Sequence, residues 1–310
     1  MNGGESPWRL DRRAFLVSAG IMGTTRGRVA FARIPEEQDT LLEHLEQEPP
    51  WPLVDTNVSL FRWPFRRLPD DTTQKLVTTL RRYGVVEAWA GSLEGVFHAD
   101  MKGVNERLME ECARWSDLLR PCGTIHPGLP DWEEDFRQCV DDWGMKVLRL
   151  FPNYHGYSLD RPEVEALLLM AAKRRVLVQI VVEMEDPRTQ PRLFRVPPVN
   201  LAPLEQLLKR VPDVTIMLLN GHRTYSPTQL RRWMESGRVF VDLSMLEGVG
   251  GIDRLVGTVS AERVCFGSFV PLFYFAAARL KLVESRLAPE VQQAIASGNA
   301  RRLLEGLLAG

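Results

Sequence analysis

The chain has 310 residues, enough for one large core, and its 45% hydrophobic and 25% charged residues are ordinary for a globular protein. Its 39 basic and 40 acidic residues leave a net charge of −1, so no global field draws it to nucleic acid or to an anionic membrane surface. No run approaches the roughly 18 apolar residues needed to span a bilayer, so neither nucleic acid nor a membrane span is expected.

The N-terminus reads as an address. Asp11-Arg12-Arg13-Ala14-Phe15-Leu16 has the form of a twin-arginine export signature: paired arginines before a short apolar stretch, with Ala30-Phe31-Ala32 offering small residues for cleavage. Residues 1–32 are therefore expected to be a twin-arginine signal segment directing export to the periplasm. The alternative is a basic arm on a cytoplasmic protein, since arginine pairs recur at Arg66-Arg67, Arg81-Arg82 and Arg174-Arg175. Residues 33–50 form an acidic, proline-ended linker. Cys112, Cys122, Cys139 and Cys265 are scattered without a CxxC pair, which predicts buried thiols rather than disulfides or a zinc knuckle.

From residue 51 short β-branched or apolar runs alternate with longer amphipathic ones, the signal for βα units and a parallel sheet. Strands are predicted at 52–58, 85–90, 122–126, 146–151, 176–184, 214–219, 239–243 and 264–267. After the second, Val104, Leu108, Cys112, Trp115 and Leu119 recur at three- and four-residue steps and so share one helical face. Pro162 and Pro203 each open a further helix, a position proline tolerates. Eight such units predict an α/β fold, a (β/α)8 TIM barrel forming a single domain over 51–310 behind an N-terminal extension. The missing GxGxxG after an early strand argues against a dinucleotide-binding sheet.

Four segments and a closing helix carry a resemblance. They are Val54-Asp55-Thr56, GMKVLRLFPNYHGY at the fourth strand, VFVDLSMLEG at the seventh, RVCFGS-x-VP at the eighth, and the terminal SGNARRLLEG. Together they resemble the amidohydrolase-related family, metal-dependent hydrolases and decarboxylases built on this barrel. The resemblance implies a hydrolase or carboxy-lyase acting on a small acidic substrate. It also implies a metal held by HxH on the first strand, histidines on the fifth and sixth, and an aspartate on the eighth. Here those five positions carry Asn57, Ser59, Val181, Asn220 and Phe269. Valine and phenylalanine cannot bind a cation, and asparagine and serine are poor ligands beside histidine and carboxylate. No metal ligand and no cofactor is therefore expected.

Several polar groups remain at predicted strand ends. Glu183 shares a strand face with Gln179 and Val181, and His222 lies two residues beyond Asn220, so these two are the candidate catalytic bases. Asn57, Asn220, His155 and Arg188 are candidate substrate-binding residues, the amides by hydrogen bonding and Arg188 by pairing with a carboxylate. For Arg188 the alternative is an ion pair with Glu185 or Asp186 that pins its loop. Two functions stay open: an enzyme working without the usual metal on a small acidic molecule, and a catalytically inactive barrel kept as a binding or structural protein. A homo-oligomer is compatible with either.

Overall fold

The computed structural model describes residues 51–309; the twin-arginine segment and the acidic linker lie outside the described residues. The strands are β1 (Leu53–Leu60), β2 (Val85–Ser92), β3 (Leu119–Pro121), β4 (Gly123–Thr124), β5 (Val147–Leu150), β6 (Leu177–Val181), β7 (Thr215–Leu219), β8 (Arg238–Asp242) and β9 (Val264–Cys265). Every registered pair is parallel, in the orders β1-β2-β3 and β4-β5-β6-β7-β8-β9.

Two joints turn these ladders into a closed barrel. Cys122 N–H donates to the Ala90 carbonyl at 2.8 Å, which carries β3 into β4 as one barrel strand. Beyond β9, Thr56 N–H donates to Phe266 O (3.0 Å), Phe269 N–H to Asn57 O (2.8 Å) and Ser59 N–H to Val270 O (2.9 Å), sealing the last strand to the first. The expected (β/α)8 barrel is thus the observed fold. The third strand was expected at 122–126 but starts at Leu119 and breaks before Gly123, because Pro121 has no amide hydrogen to extend the ladder. The fifth was expected to reach residue 184, yet β6 ends at Val181: the Glu183 carbonyl is taken by the Asn220 side chain instead of a strand.

Barrel strands are covered on both faces, so they read as near-continuous apolar runs. Along β6, Leu177 and Val181 point into the barrel cluster with Val54, Val147, Met217 and Phe269, while Val178 and Ile180 pack outward against the helices. The outer layer is built from α1 (Thr73–Arg82), α2 (Met101–Ala113), α3 (Trp132–Arg137), α4 (Pro162–Arg174), α5 (Leu204–Arg210), α6 (Pro227–Ser236), α7 (Gly251–Val256), α8 (Phe275–Val283), α9 (Pro289–Gln293) and α10 (Asn299–Leu308). Their starts follow from local chemistry. The Thr72 hydroxyl caps α1, Ser226 and Gln229 form a reciprocal capping box on α6, and Pro162 opens α4. Val104, Leu108 and Cys112 line the buried face of α2 as their spacing predicts. All four cysteines are buried and free. Ala300, Leu303, Leu304 and Leu307 of α10 join the cluster inside the barrel with Val54 and Cys265, at the end opposite the βα loops.

At the loop end, Trp63, Phe65, Phe97, Tyr154 and Phe194 come from the loops after β1, β2, β5 and β6 and pack ring on ring. Trp63–Phe97 and Phe65–Phe194 centroids are both 5.3 Å apart. An Arg66–Glu185 ion pair ties the β1 loop to the β6 loop beside them.

Candidate functional site

Chemistry in such barrels is staged at the C-terminal strand ends, where several strands deliver side chains to one place. Asn57, on β1, donates its amide to the Asn220 Oδ1 at 2.8 Å and to the Asp242 Oδ2 at 2.7 Å. Turning that amide around would set its oxygen against two others, so the nitrogen must face them. Ser244 Oγ lies 2.5 Å from Asn220 Oδ1 and 2.6 Å from Asp242 Oδ2. Asn220, directly after β7, has φ +59°, a left-handed conformation that asparagine tolerates. This turns its backbone N–H to Asp242 Oδ1 (3.1 Å) and its amide to the Glu183 carbonyl (2.8 Å). Strands β1, β7 and β8 are therefore locked at the barrel axis by one buried polar cluster.

Below it sits a buried cation. Arg149 on β5 is 1% exposed, and its guanidinium donates to Gln179 Oε1 (2.8 Å), Val58 O (2.9 Å), Ser59 Oγ (3.3 Å) and Trp89 O (3.3 Å). Gln179 passes the link on to Thr56 O at 2.8 Å. Gly91 leaves room for this: a Cβ there would stand 2.6 Å from Arg149 Nη1. Burial lowers the Arg149 pKa, with the charges of Asp242 and Asp55 opposing the shift. Asp55 faces the β9 side, accepting from Ser268 N–H (3.0 Å), Ser268 Oγ (2.5 Å) and Asn57 N–H (3.1 Å). Burial still pushes its carboxyl up to about 7.

The sequence-predicted residues are dispersed around this core. Asn57 and Asn220 meet directly. Glu183 accepts from the Thr224 hydroxyl at 2.7 Å, and its carbonyl holds Asn220. His222 places Nε2 2.5 Å from the Asp242 carbonyl; since a carbonyl only accepts, Nε2 carries the proton and Nδ1 keeps a lone pair. It lines a cavity of about 430 Å³ with Tyr225, Leu230, Leu246 and Arg254, and Glu183 is not among that cavity's lining residues. The two candidate bases are thus not brought to one cavity, the Glu183 carboxylate being engaged by Thr224. His155 stacks on His126, centroids 4.1 Å apart and planes within 3°, with Nε2 against Gly95 O at 2.8 Å. Burial first, then the neighbouring imidazole, pushes its pKa down to about 4. Arg188 makes a two-pronged pair with Asp186 through Nε and Nη2 (2.9 and 2.7 Å), as the loop-pinning alternative has it, while the rest of its side chain is exposed. Arg223 joins the same carboxylate at 3.0 Å.

Sequence reasoning passed over Arg149, Ser244 and the inward aim of Asp242. An arginine inside an otherwise apolar strand, LRL, was the available signal for the first.

A family profile described as Amidohydrolase matches residues 62–306. The chain belongs to the amidohydrolase family. Among solved structures this chain is similar to the 2,6-dihydroxybenzoate decarboxylase from Rhizobium, at 15% identity, with 84% of this chain and 100% of that chain covered and a TM-score of 0.65. It is also similar to the 5-carboxyvanillate decarboxylase from Novosphingobium aromaticivorans complexed with manganese and 4-hydroxy-3-methoxy-5-nitrobenzoic acid. There identity is 13%, coverage 83% and 96%, and the TM-score 0.69. A TIM-barrel protein from Bordetella bronchiseptica aligns at 13% identity over 82% and 99%, with a TM-score of 0.65. No curated protein matches the chain. At these identities the likeness speaks for the fold. Among the described residues, no three histidine, cysteine or acidic side chains are grouped as a metal set. Val181 and Phe269, which the resemblance sets at two expected ligand positions, are 2% and 1% exposed. No helix among the described residues is long and apolar enough to cross a membrane.

Proposed function

We propose that this amidohydrolase-family barrel has given up the metal-assisted chemistry of its structural relatives and serves as a binding or structural protein. One observation carries the reading: the Asn57 amide is spent on Asn220 and Asp242 at the point where strand-end groups would otherwise face a cation. A divalent metal does not fit this donor set. Asn57 turns N–H rather than oxygen inward, Asp242 already accepts from Asn57, Asn220 and Ser244, and the Phe269 ring fills the eighth-strand position. Without a metal-bound water, the family's way of making a nucleophile at neutral pH is lost.

His222 favours a second reading, a metal-free hydrolase or carboxy-lyase on a small acidic substrate. Its fixed tautomer leaves Nδ1 as a base beside a cavity. One experiment separates the two. Protein produced with manganese and zinc supplements is assayed for bound metal and for turnover of 2,6-dihydroxybenzoate, 5-carboxyvanillate and a panel of acidic esters and lactones. The first reading expects neither stoichiometric metal nor turnover, and stoichiometric metal would sink it. Turnover without metal, abolished in His222→Gln, would establish the second.

A further inference from the structure

The 430 Å³ cavity beside His222 lies off the barrel axis, between the loop after β7, the start of α6, the loop after β8 and α7. Its size suits a molecule of one ring or a short branched chain, since ligand sites of about 300–1,000 Å³ hold drug-sized guests. Leu230, Leu246, Leu255 and Pro227 make most of its wall apolar.

Its cationic group is held in place by backbone. The turn after β8 runs Gly248-Val249-Gly250-Gly251, with Gly248 at φ +85° and Gly250 at φ +66°, and wraps around Arg254. Arg254 Nη1 donates to Val249 O at 2.6 Å, and Nη2 lies 3.5 Å from Glu247 O. No carboxylate among the described residues forms an ion pair with it, whereas Arg66, Arg67, Arg188 and Arg223 in neighbouring loops each have one and Arg62, Arg192 and Arg195 do not. Main-chain carbonyls thus orient an exposed guanidinium, while Glu247, the acid on the same lining, leans to Arg223 instead, an arrangement that a free carboxylate completes.

Tyr225 supplies an independent sign. It is 7% exposed, and its buried hydroxyl has no hydrogen-bond partner. Leaving a buried hydroxyl unpaired costs about 1–3 kcal/mol. Gly221 permits the placement, because a Cβ there would lie 2.4 Å from the Tyr225 ring, and Tyr225 meets His222 edge to face at 5.6 Å.

We infer that this cavity binds a small monocarboxylate with an apolar body: the carboxylate on Arg254, the body against Leu230, Leu246 and Leu255. The inference deepens the binding reading above, but it is tested without reference to metal or turnover. The probe is 4-fluorobenzoate, followed by fluorine NMR titration of the purified full chain, with 4-fluorobenzyl alcohol as the uncharged comparison. Saturable binding of the carboxylate at millimolar concentration or below is expected, with the alcohol weaker. Arg254→Gln should weaken the carboxylate by about tenfold or more and leave the alcohol unchanged. Leu246→Trp, which fills the cavity from a different element, should abolish both. Circular dichroism and thermal melting confirm that each variant folds. No saturable binding to the wild type overturns the inference, and so does carboxylate binding that Arg254→Gln and Leu246→Trp leave intact. In the latter case the chain still binds carboxylates, and only the place is wrong.

Discussion

Asn57 on the first barrel strand and Asp242 on the seventh are joined side chain to side chain at 2.7 Å, 185 residues apart in sequence. The bond is buried, one partner is a carboxylate, and that carboxylate also takes the Asn220 N–H on Oδ1 and meets Ser244 Oγ at Oδ2. Charge-assisted hydrogen bonds of this kind are the strong ones, and removing one partner exposes the full desolvation cost of the other.

Asn57→Leu should therefore destabilise the fold by about 2–4 kcal/mol, because it takes a donor from a buried carboxylate. Urea denaturation followed by circular dichroism measures this. A change within 0.5 kcal/mol, the ordinary range of surface substitutions, would show that the cluster is not what locks the barrel end.

Arg149 gives a paired prediction. Arg149→Met strands Gln179 Oε1 and the carbonyls of Val58 and Trp89, and should cost about 3–5 kcal/mol. Gly91→Ala pushes a methyl group into the guanidinium and should cost about 1–3 kcal/mol. The double variant should cost less than the sum, since methionine can yield to the new methyl; strict additivity would refute the contact.

Much of this arrangement was legible in the chain. The eight-unit alternation, the helix caps and the buried cysteines follow from local pattern. Val181 and Phe269 at ligand positions were visible once the strand ends were aligned. What sequence could not give is which polar groups pair across the barrel. Asn57 and Asn220 looked like groups free to orient a substrate, and their mutual hydrogen bond depends on the left-handed backbone at Asn220, which no periodicity reveals. Arg188 pairs through one guanidinium edge with Asp186 two residues earlier, the ion pair that its sequence neighbours also offered.

The stacked pair His126–His155 predicts a pH dependence. In the unfolded chain His155 takes up a proton near its ordinary value of 6.5, while in the folded protein burial and the adjacent ring hold it down to about 4. Between those values the unfolded state binds more protons at this site, so the His155 contribution to stability is full above about pH 6.5 and is lost as pH drops toward 4, opposed over the same window by Asp55, whose raised carboxyl binds more protons in the folded state. The slope should be about 1 kcal/mol per pH unit at most, allowing for partial exposure. His155→Phe keeps a ring on His126 and should remove this loss, so that the variant gains stability relative to wild type as pH falls from 6.5 to 4. An unchanged slope would remove His155 as its source.

The loop end offers a fourth test. Arg66→Ala breaks the tie between the β1 and β6 loops and leaves Glu185, whose side chain is 2% exposed, without its cation. Limited trypsin digestion at the arginines of the 186–202 loop should accelerate severalfold, read by mass spectrometry of the first cut. Unchanged cleavage would mean that the aromatic cluster alone holds that loop down.

The seam between β9 and β1 has a consequence for how the barrel assembles. Its bonds join residues some 210 positions apart, as in Thr56 to Phe266 and Asp55 to Ser268. Contacts of such high sequence separation cost the most chain entropy and come late, so an open sheet must precede the closed one. An open sheet has two raw edges, and a slip of one residue at closure would turn every side chain on the last strand to the wrong face. Asp55 acts here as a register key. Only one alignment delivers Ser268 N–H and Oγ to its carboxyl, and any other buries that carboxyl with only the local Asn57 N–H to meet it.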